Sequence, residues 1–216
     1  MDDNRAIFSG SVKFVKSNRI GSNLWGNLTV KIIMDNKTFM FKEKAQFLSE
    51  PIIWMSIKTN FLENGKLEGN SEKVFDACTN KKYILVTGAK LSDYERVVKD
   101  DNGVIIPNGP KLTTYTLECS TNGAVFSTSP FAEINHCTIE GYVNNIIDEN
   151  SFELKIPYRA KNETKYRKCI IFCDNDKINE YKGKKVFIIG KVFGKTPDPS
   201  KKDLIYIVCN NPIITQ

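Results

Sequence analysis

The chain has 216 residues, of which 41% are hydrophobic and 11% aromatic, which is enough for one large or two small packed domains and excludes a disordered polypeptide. Its 31 lysines and arginines outnumber 25 acidic residues, and a net charge of +6 favours an anionic partner only mildly. No apolar run approaches the length of about 18 residues that a membrane-spanning helix needs.

The regular segments are short, rich in Val, Ile, Phe and Tyr, and separated by Gly, Asn and Asp, which is typical of an all-β protein. The predicted strands of the first half are residues 9–17, 24–35, 38–47, 83–94 and 112–120. Those of the second half are residues 138–148, 152–160, 166–174, 184–195 and 204–210. Each half therefore contributes five strands.

A helix is predicted over residues 49–65, between the third and fourth strands of the first half. Ile53, Ile57 and Phe61 recur at helical spacing, and Gly65 lies beyond the end. The second half has room only for a turn or two of helix at the corresponding place, residues 175–183.

The two halves repeat a few short patterns in the same order. Each first strand has a glycine followed two residues later by a valine, at Gly10 and at Gly141. Each fourth strand is an apolar run that reaches a glycine, at Gly88 and at Gly190, and each last strand ends in a cysteine. The pattern indicates a duplication in which the first copy carries insertions.

The order strand, strand, strand, helix, strand, strand resembles the oligonucleotide-binding (OB) fold, a five-stranded barrel. The resemblance implies two tandem OB folds, at residues 1–130 and 131–216, with an insertion at residues 48–82 in the first. The boundary is expected in the Ser-, Thr- and Asn-rich stretch of residues 120–135.

Side chains alternate between the two faces of a strand, so when one face is assigned to the core, the other is expected to face solvent. Val12 with Phe14, and Leu28 with its neighbours at 30 and 32, are assigned to the core of the first half. Trp54, on the predicted helix, is also assigned to a core. The opposite face is then predicted to carry Lys13, Trp25, Lys31, Lys42 and Lys44. Trp25 is interpreted either as a platform on which a base stacks or as a residue that caps the barrel end or packs under the long insertion.

The second half offers a similar face with Tyr142, Lys155 and Arg159 outward. On its third strand the pattern leaves two alternatives, either Tyr166 and Lys168 or Arg167 and Cys169 facing outward. On its fourth strand a bulge at Gly190 would turn three further candidate residues outward. These are Lys191, Phe193 and Lys195.

The sequence gives little support for a metal site, a cofactor or catalysis. Six cysteines lack a Cys-x-x-Cys spacing, and His136 is the single histidine, so no metal site, cofactor or catalytic group is predicted. The cysteines are interpreted as reduced thiols. With no basic, apolar leader at the start, the protein is expected in the cytoplasm, that of the host if it is viral.

Lysines neutralise phosphates and rings stack on bases, so the predicted faces suit a single-stranded polynucleotide. The chain resembles the OB-fold single-stranded DNA-binding proteins of replication and recombination, with a virus- or plasmid-encoded type favoured by its Lys, Asn and Ile bias. The resemblance implies single-stranded DNA, with RNA as an alternative, as the partner. Replication or recombination proteins are further expected partners. It departs from the bacterial family in lacking an acidic C-terminal tail, so protein partners are expected at residues 48–82.

Two alternatives of other classes stand beside this expectation. One is a structural or assembly protein, such as a virion component, in which small β-barrels serve as docking modules. The other is a nuclease whose metal-binding acids are brought together only by folding.

Overall fold

A computed structural model of the protein describes residues 4–34, 52–97, 104, 106–107, 109, 111–173, 175, 177–195, 204–209 and 211–215. Within these residues, twelve strands join in one hydrogen-bonded sheet that curls twice on itself. The strands are β1 (Arg5–Arg19), β2 (Trp25–Met34), β3 (Ile52–Asn60), β4 (Tyr83–Val97), β5 (Lys111–Cys119), β6 (Ala124–Ser127), β7 (Asn135–Asp148), β8 (Ser151–Ala160), β9 (Glu163–Cys173), β10 (Lys185–Lys195), β11 (Leu204–Cys209) and β12 (Ile213–Ile214). Helix α1 spans Asn70–Asn80, and 3-10 turns span Thr121–Gly123 and Ile178–Tyr181.

Two closed circuits of five strands organise the sheet. In the first, β1 pairs with β2, β2 with β3, β3 with β5, β5 with β4, and β4 again with β1. In the second, β7, β8, β9, β11 and β10 close in the same order. Each circuit has one parallel pairing, between its third and fifth strands. We call the circuits the first and second barrels. The predicted all-β class is confirmed, and the third strand of the first barrel, β3, lies within the stretch predicted as a helix.

The barrels are joined through β1 and β7, which pair from Arg5 opposite Thr138 to Phe8 opposite Asn135. Residues 128–134 lead from β6 into β7, and the domain boundary predicted after residue 130 falls there. Which residues fold as independent units stays a prediction.

The same glycine position is used in both barrels. A β-carbon at Gly10 would lie 2.5 Å from the backbone oxygen of Ile33, and one at Gly141 would lie 2.5 Å from that of Lys155. At these points the second strand of each barrel crosses so near the first that no side chain fits. The two glycines hold equivalent places in the two barrels, as the repeat pattern predicts.

The helix predicted over residues 49–65 is wrong, because the described part of this stretch contains β3. Ile53, Met55 and Ile57 are buried, while Trp54 and Ser56 between them are partly exposed. A spacing of four residues is even, so it fits the two-residue period of a strand as well as one turn of helix. The strand predicted at residues 38–47, with Lys42 and Lys44, lies outside the described residues.

The helix of the first barrel is α1, which comes after β3. Ser71, Val74 and Cys78 form its buried stripe, at the three- and four-residue spacing of an amphipathic helix. In the second barrel a 3-10 turn takes this place and buries Ile178 and Tyr181, in agreement with the short helical segment predicted there.

The core is formed by the inward rows of both barrels. Leu28, Val30 and Ile32 are fully buried, as predicted from their alternation. All six cysteines are buried and none forms a disulfide, and burial raises the pKa of Cys78 and Cys119 to about 12. Among the residues the structure describes, no helix combines the length and the apolar character needed to cross a bilayer.

Candidate nucleic-acid interface

Three side chains from three neighbouring strands form a row on the outer face of the first barrel. Lys31 on β2 lies opposite Phe14 on β1 and opposite Trp54 on β3. The lysine Nζ is 5.4 Å from the centroid of the Trp54 ring. The Phe14 and Trp54 ring centroids are 5.9 Å apart with the planes at 68°, an edge-to-face contact. The row therefore presents two rings around one cation.

A β-bulge on β1 places Phe14 in this row. Val12 pairs with Ile32 and Phe14 pairs with Lys31, so Lys13 is an extra residue without an opposite partner. Both Lys13 and Phe14 turn to solvent, and the Phe14 side chain is 46% exposed. The assignment of Phe14 to the core is therefore wrong, because strict alternation takes no account of the bulge.

Trp54 was also misassigned, since it is half-buried on the outer face rather than in a core. On a helix its position would face inward, but on β3 it alternates with the buried residues 53 and 55. The signal that could have located it is the alternation itself, which runs unbroken from residue 53 to residue 61.

The outer face of β1, β2 and β3 carries further cations. Lys16 and Lys58 are exposed, and the predicted Lys13 and Lys31 lie on the same face. None of the three strands contains an acidic residue. We call this surface the β1–β3 face; it is defined by Lys13, Phe14, Lys16, Trp25, Lys31, Trp54 and Lys58.

Trp25 lies at the far end of the β1–β3 face. Its side chain is 55% exposed and borders a hollow of about 420 Å³ that Asn27 and Lys58 also line. Its partner across the strands is Asn60. The indole is therefore available at the surface, and its use as a stacking platform stays a prediction.

In the second barrel, the predicted Tyr142, Lys155 and Lys168 also form a row on the outer face. The positions that correspond to Phe14, Lys31 and Trp54 are instead held by Asn145, Glu153 and Ile170. Tyr142 pairs with Lys155 on β7 and β8, and Lys155 pairs with Lys168 on β9. Of the two alternatives for β9, the structure shows Tyr166 exposed and Cys169 buried, so Tyr166 and Lys168 face outward.

The first barrel partly covers this row. The amide of Lys168 donates a hydrogen bond to Asp93 Oδ1 at 2.8 Å, and the Tyr115 hydroxyl donates one to Glu153 Oε2 at 3.3 Å. Lys168 Nζ is itself 3.3 Å from Glu153 Oε1. Burial, and then the nearby Glu153 carboxylate, raise the pKa of Tyr115. The two barrels thus differ in how much of this face they expose.

Strand β10 does not reverse its face at Gly190. Val186, Ile188 and Val192 are buried, so the alternation continues through the glycine, and Lys191 is exposed. Phe193 is 5% exposed, and the prediction that it turns outward as a binding residue is therefore wrong. The backbone of Lys195 pairs with Leu204, and its side chain lies outside the described residues.

A groove of about 660 Å³ separates the two barrels. The first barrel lines it with Lys58, Lys90 and Glu118, and the second barrel with Tyr158, the predicted Arg159, and Arg167. Arg167 Nη2 lies 3.9 Å from Glu118 Oε2, and the guanidinium carbon lies 4.6 Å from the centre of the Tyr158 ring. Within the described part of the chain, no three His, Cys, Asp or Glu side chains are grouped as metal ligands.

Two solved structures share this arrangement of strands over almost the whole chain. One is a deletion mutant of the single-stranded DNA binding protein from Thermus aquaticus, with a TM-score of 0.60 at 10% identity, covering 99% of this chain and 94% of that one. The other is the wild-type protein, with a TM-score of 0.56, 10% identity, and coverage of 99% and 93%.

This chain has the fold of that DNA-binding protein. The OB-type architecture expected from the order of the strands is thereby confirmed. No protein-family model and no curated protein sequence matches the chain. At 10% identity the likeness concerns the OB-type fold, and the function must be argued from the side chains described above.

Proposed function

We propose that the protein binds single-stranded DNA with little sequence preference, through phosphate neutralisation and aromatic stacking on the β1–β3 face. The observation that carries the proposal is the row of Phe14, Lys31 and Trp54. It places a cation beside two rings on strands that contain no acidic residue.

The chemistry of the face supports a flexible polyanion as its ligand. Every base has a flat surface that can stack on an aromatic ring, whatever its sequence, and each stacked base contributes about 1–3 kcal/mol. Exposed Lys13, Lys16 and Lys58 flank the rings, where they can neutralise successive phosphates. The edges of the bases need not be read, so little sequence preference is expected.

The shared fold supports the same ligand, because the similar protein from Thermus aquaticus is described as a single-stranded DNA binding protein. OB folds commonly bind oligonucleotides on their second and third strands. In this protein those are β2 and β3, which carry Lys31 and Trp54. We further infer a place in DNA replication or recombination, without catalytic activity.

Binding of fluorescently labelled oligo(dT) at increasing salt concentrations tests the proposal. The affinity should fall steeply with salt, since each neutralised phosphate contributes a slope of about −0.7 in the logarithmic plot. Duplex DNA of equal length serves as a competitor and should compete less well, because its bases are already paired and stacked. Oligo(rU) serves to compare RNA with DNA. Absence of binding to oligo(dT) at low salt would exclude the function.

A further inference from the structure

We infer that the groove between the barrels holds a second stretch of the same DNA strand, and that Glu118 competes with a DNA phosphate for Arg167. The inference rests on the proposed function and extends it from the β1–β3 face of the first barrel to a path that joins both barrels.

The hollow beside Trp25 and the groove share two lining residues, Lys58 and Glu118. Lys58 is exposed on β3, next to Asn27 across the strands, and Glu118 lies on β5 opposite Ser56 of β3. The two hollows therefore border each other at Lys58 and Glu118, and the groove is the next hollow that a strand leaving the β1–β3 face at Trp25 would reach.

The charge of the groove suits a phosphate backbone. Four cations line it, Lys58, Lys90, Arg159 and Arg167, against two carboxylates. One of these, Glu140, is already paired with Lys185 at 2.9 Å, and Lys185 is not among the lining residues. The remaining carboxylate is that of Glu118, so the groove has an excess of positive charge.

The second barrel contributes a positioned guanidinium that can bind a phosphate. Arg167 lies 4.6 Å over the ring of Tyr158, which holds the guanidinium near the groove wall. The two strands that carry them, β8 and β9, place Arg159 in the groove as well. A guanidinium binds a phosphate with two parallel hydrogen bonds, as it binds a carboxylate.

In the protein without DNA, the carboxylate of Glu118 occupies part of that binding geometry. Its Oε2 is 3.9 Å from Arg167 Nη2, and the two side chains are 29% and 20% exposed. At 3.9 Å the two groups form an ion pair without a hydrogen bond, so an incoming phosphate that makes hydrogen bonds to Arg167 can replace the carboxylate. Glu118 thereby lowers the affinity of the groove for the phosphates of the bound strand.

The test compares an oligo(dT) of about 8 nucleotides, which one barrel can hold, with one of about 30 nucleotides, which extends over both. Arg159→Gln and Arg167→Gln should each weaken binding of the longer DNA about 3- to 10-fold and reduce its salt slope by about 0.7, with the shorter DNA unaffected. Glu118→Gln should tighten binding of the longer DNA about 2- to 5-fold.

Matched controls keep the same charge change away from the groove. Glu180→Gln and Lys177→Gln, in and beside the 3-10 turn of the second barrel, should leave both affinities unchanged. Arg159 is exposed at the end of β8, so its variant tests the groove even if Arg167→Gln unfolds the protein.

The outcomes separate the two proposals. If the wild type binds both oligonucleotides and the groove variants bind the longer one as tightly as the wild type does, the inference is overturned and the proposed function stands. If the wild type binds neither, both are overturned.

Discussion

The Nζ of Lys31 lies 5.4 Å from the centre of the Trp54 ring, directly across two hydrogen-bonded strands. This cation–π contact holds the lysine over the indole, and Phe14 makes an edge-to-face contact with the same ring. The three side chains are thereby ordered before any ligand arrives, which lowers the conformational entropy that binding costs.

Replacement of Trp54 by alanine is expected to weaken oligo(dT) binding about 5- to 100-fold, because one stacked base contributes about 1–3 kcal/mol. The half-buried indole lies outside the core, so the thermal unfolding midpoint should change little. Fluorescence anisotropy at a fixed salt concentration measures the affinity. Binding that is unaltered in a folded variant would contradict the role assigned to Trp54.

The chain has two tryptophans, so each can be observed alone. In Trp25→Phe the remaining signal comes from Trp54, and in Trp54→Phe it comes from Trp25. Saturating oligo(dT) is expected to quench both, since Trp25 is also exposed on the β1–β3 face. If Trp25 fluorescence is unaffected by DNA, Trp25 serves only to cap the barrel end.

Lys31→Met keeps the aliphatic contact with Trp54 and removes the charge. The slope of the logarithmic salt plot is expected to fall by about 0.7, the contribution of one neutralised phosphate on a single strand. Lys73→Met, an exposed change on α1, is the matched control and should leave the slope as in the wild type. Equal slopes in the two variants would show that Lys31 does not contact a phosphate.

Gly10→Ala and Gly141→Ala are each expected to destabilise the protein by roughly 1–3 kcal/mol, the usual cost of overpacking. In both, the new methyl group would meet a backbone oxygen of the next strand at 2.5 Å, and a backbone cannot turn aside as a side chain can. Gly88→Ala is the control, because nothing lies within 4 Å of its β-carbon position. Urea unfolding of the three variants measures the difference.

Stability should decrease at alkaline pH through the buried thiols. Burial raises the pKa of Cys78 and Cys119 from 9.0 to about 12, so the folded state keeps them protonated while the unfolded state ionises them. Their stabilising effect is complete below pH 9 and is lost between pH 9 and about 12, by roughly 1 kcal/mol per thiol at pH 10. Urea midpoints at pH 8 and pH 10 should differ less in Cys78→Ala than in the wild type.

Several features could be predicted from the sequence because they depend on local period and local composition. The buried row of Leu28, Val30 and Ile32 follows from alternation, and the glycines at 10 and 141 follow from a repeated pattern. Four of the five strands of the first barrel and all five of the second follow from turn residues between apolar runs. These signals lie within a few residues of one another, so no knowledge of distant contacts is needed.

Other features could not be predicted from local patterns, and each has a physical reason. Apolar residues four positions apart satisfy both a helix and a strand, which is why β3 was assigned to a helix and Trp54 to a core. A bulge at Lys13 shifts the period by one residue and turns Phe14 to solvent. Phe193 lies on the face of β10 opposite to the buried Val192, yet it is itself buried. The alternation within β10 does not predict this burial.

The sequence by itself determined the all-β class, nine of the ten barrel strands and the outward lysines of β1 and β2, because each is a property of neighbouring residues. Only the tertiary structure decided which aromatic rings lie beside the lysines and that Arg167 forms an ion pair with Glu118. Those relationships connect strands that are distant along the chain, and their register is set by barrel closure and by the packing of one barrel against the other.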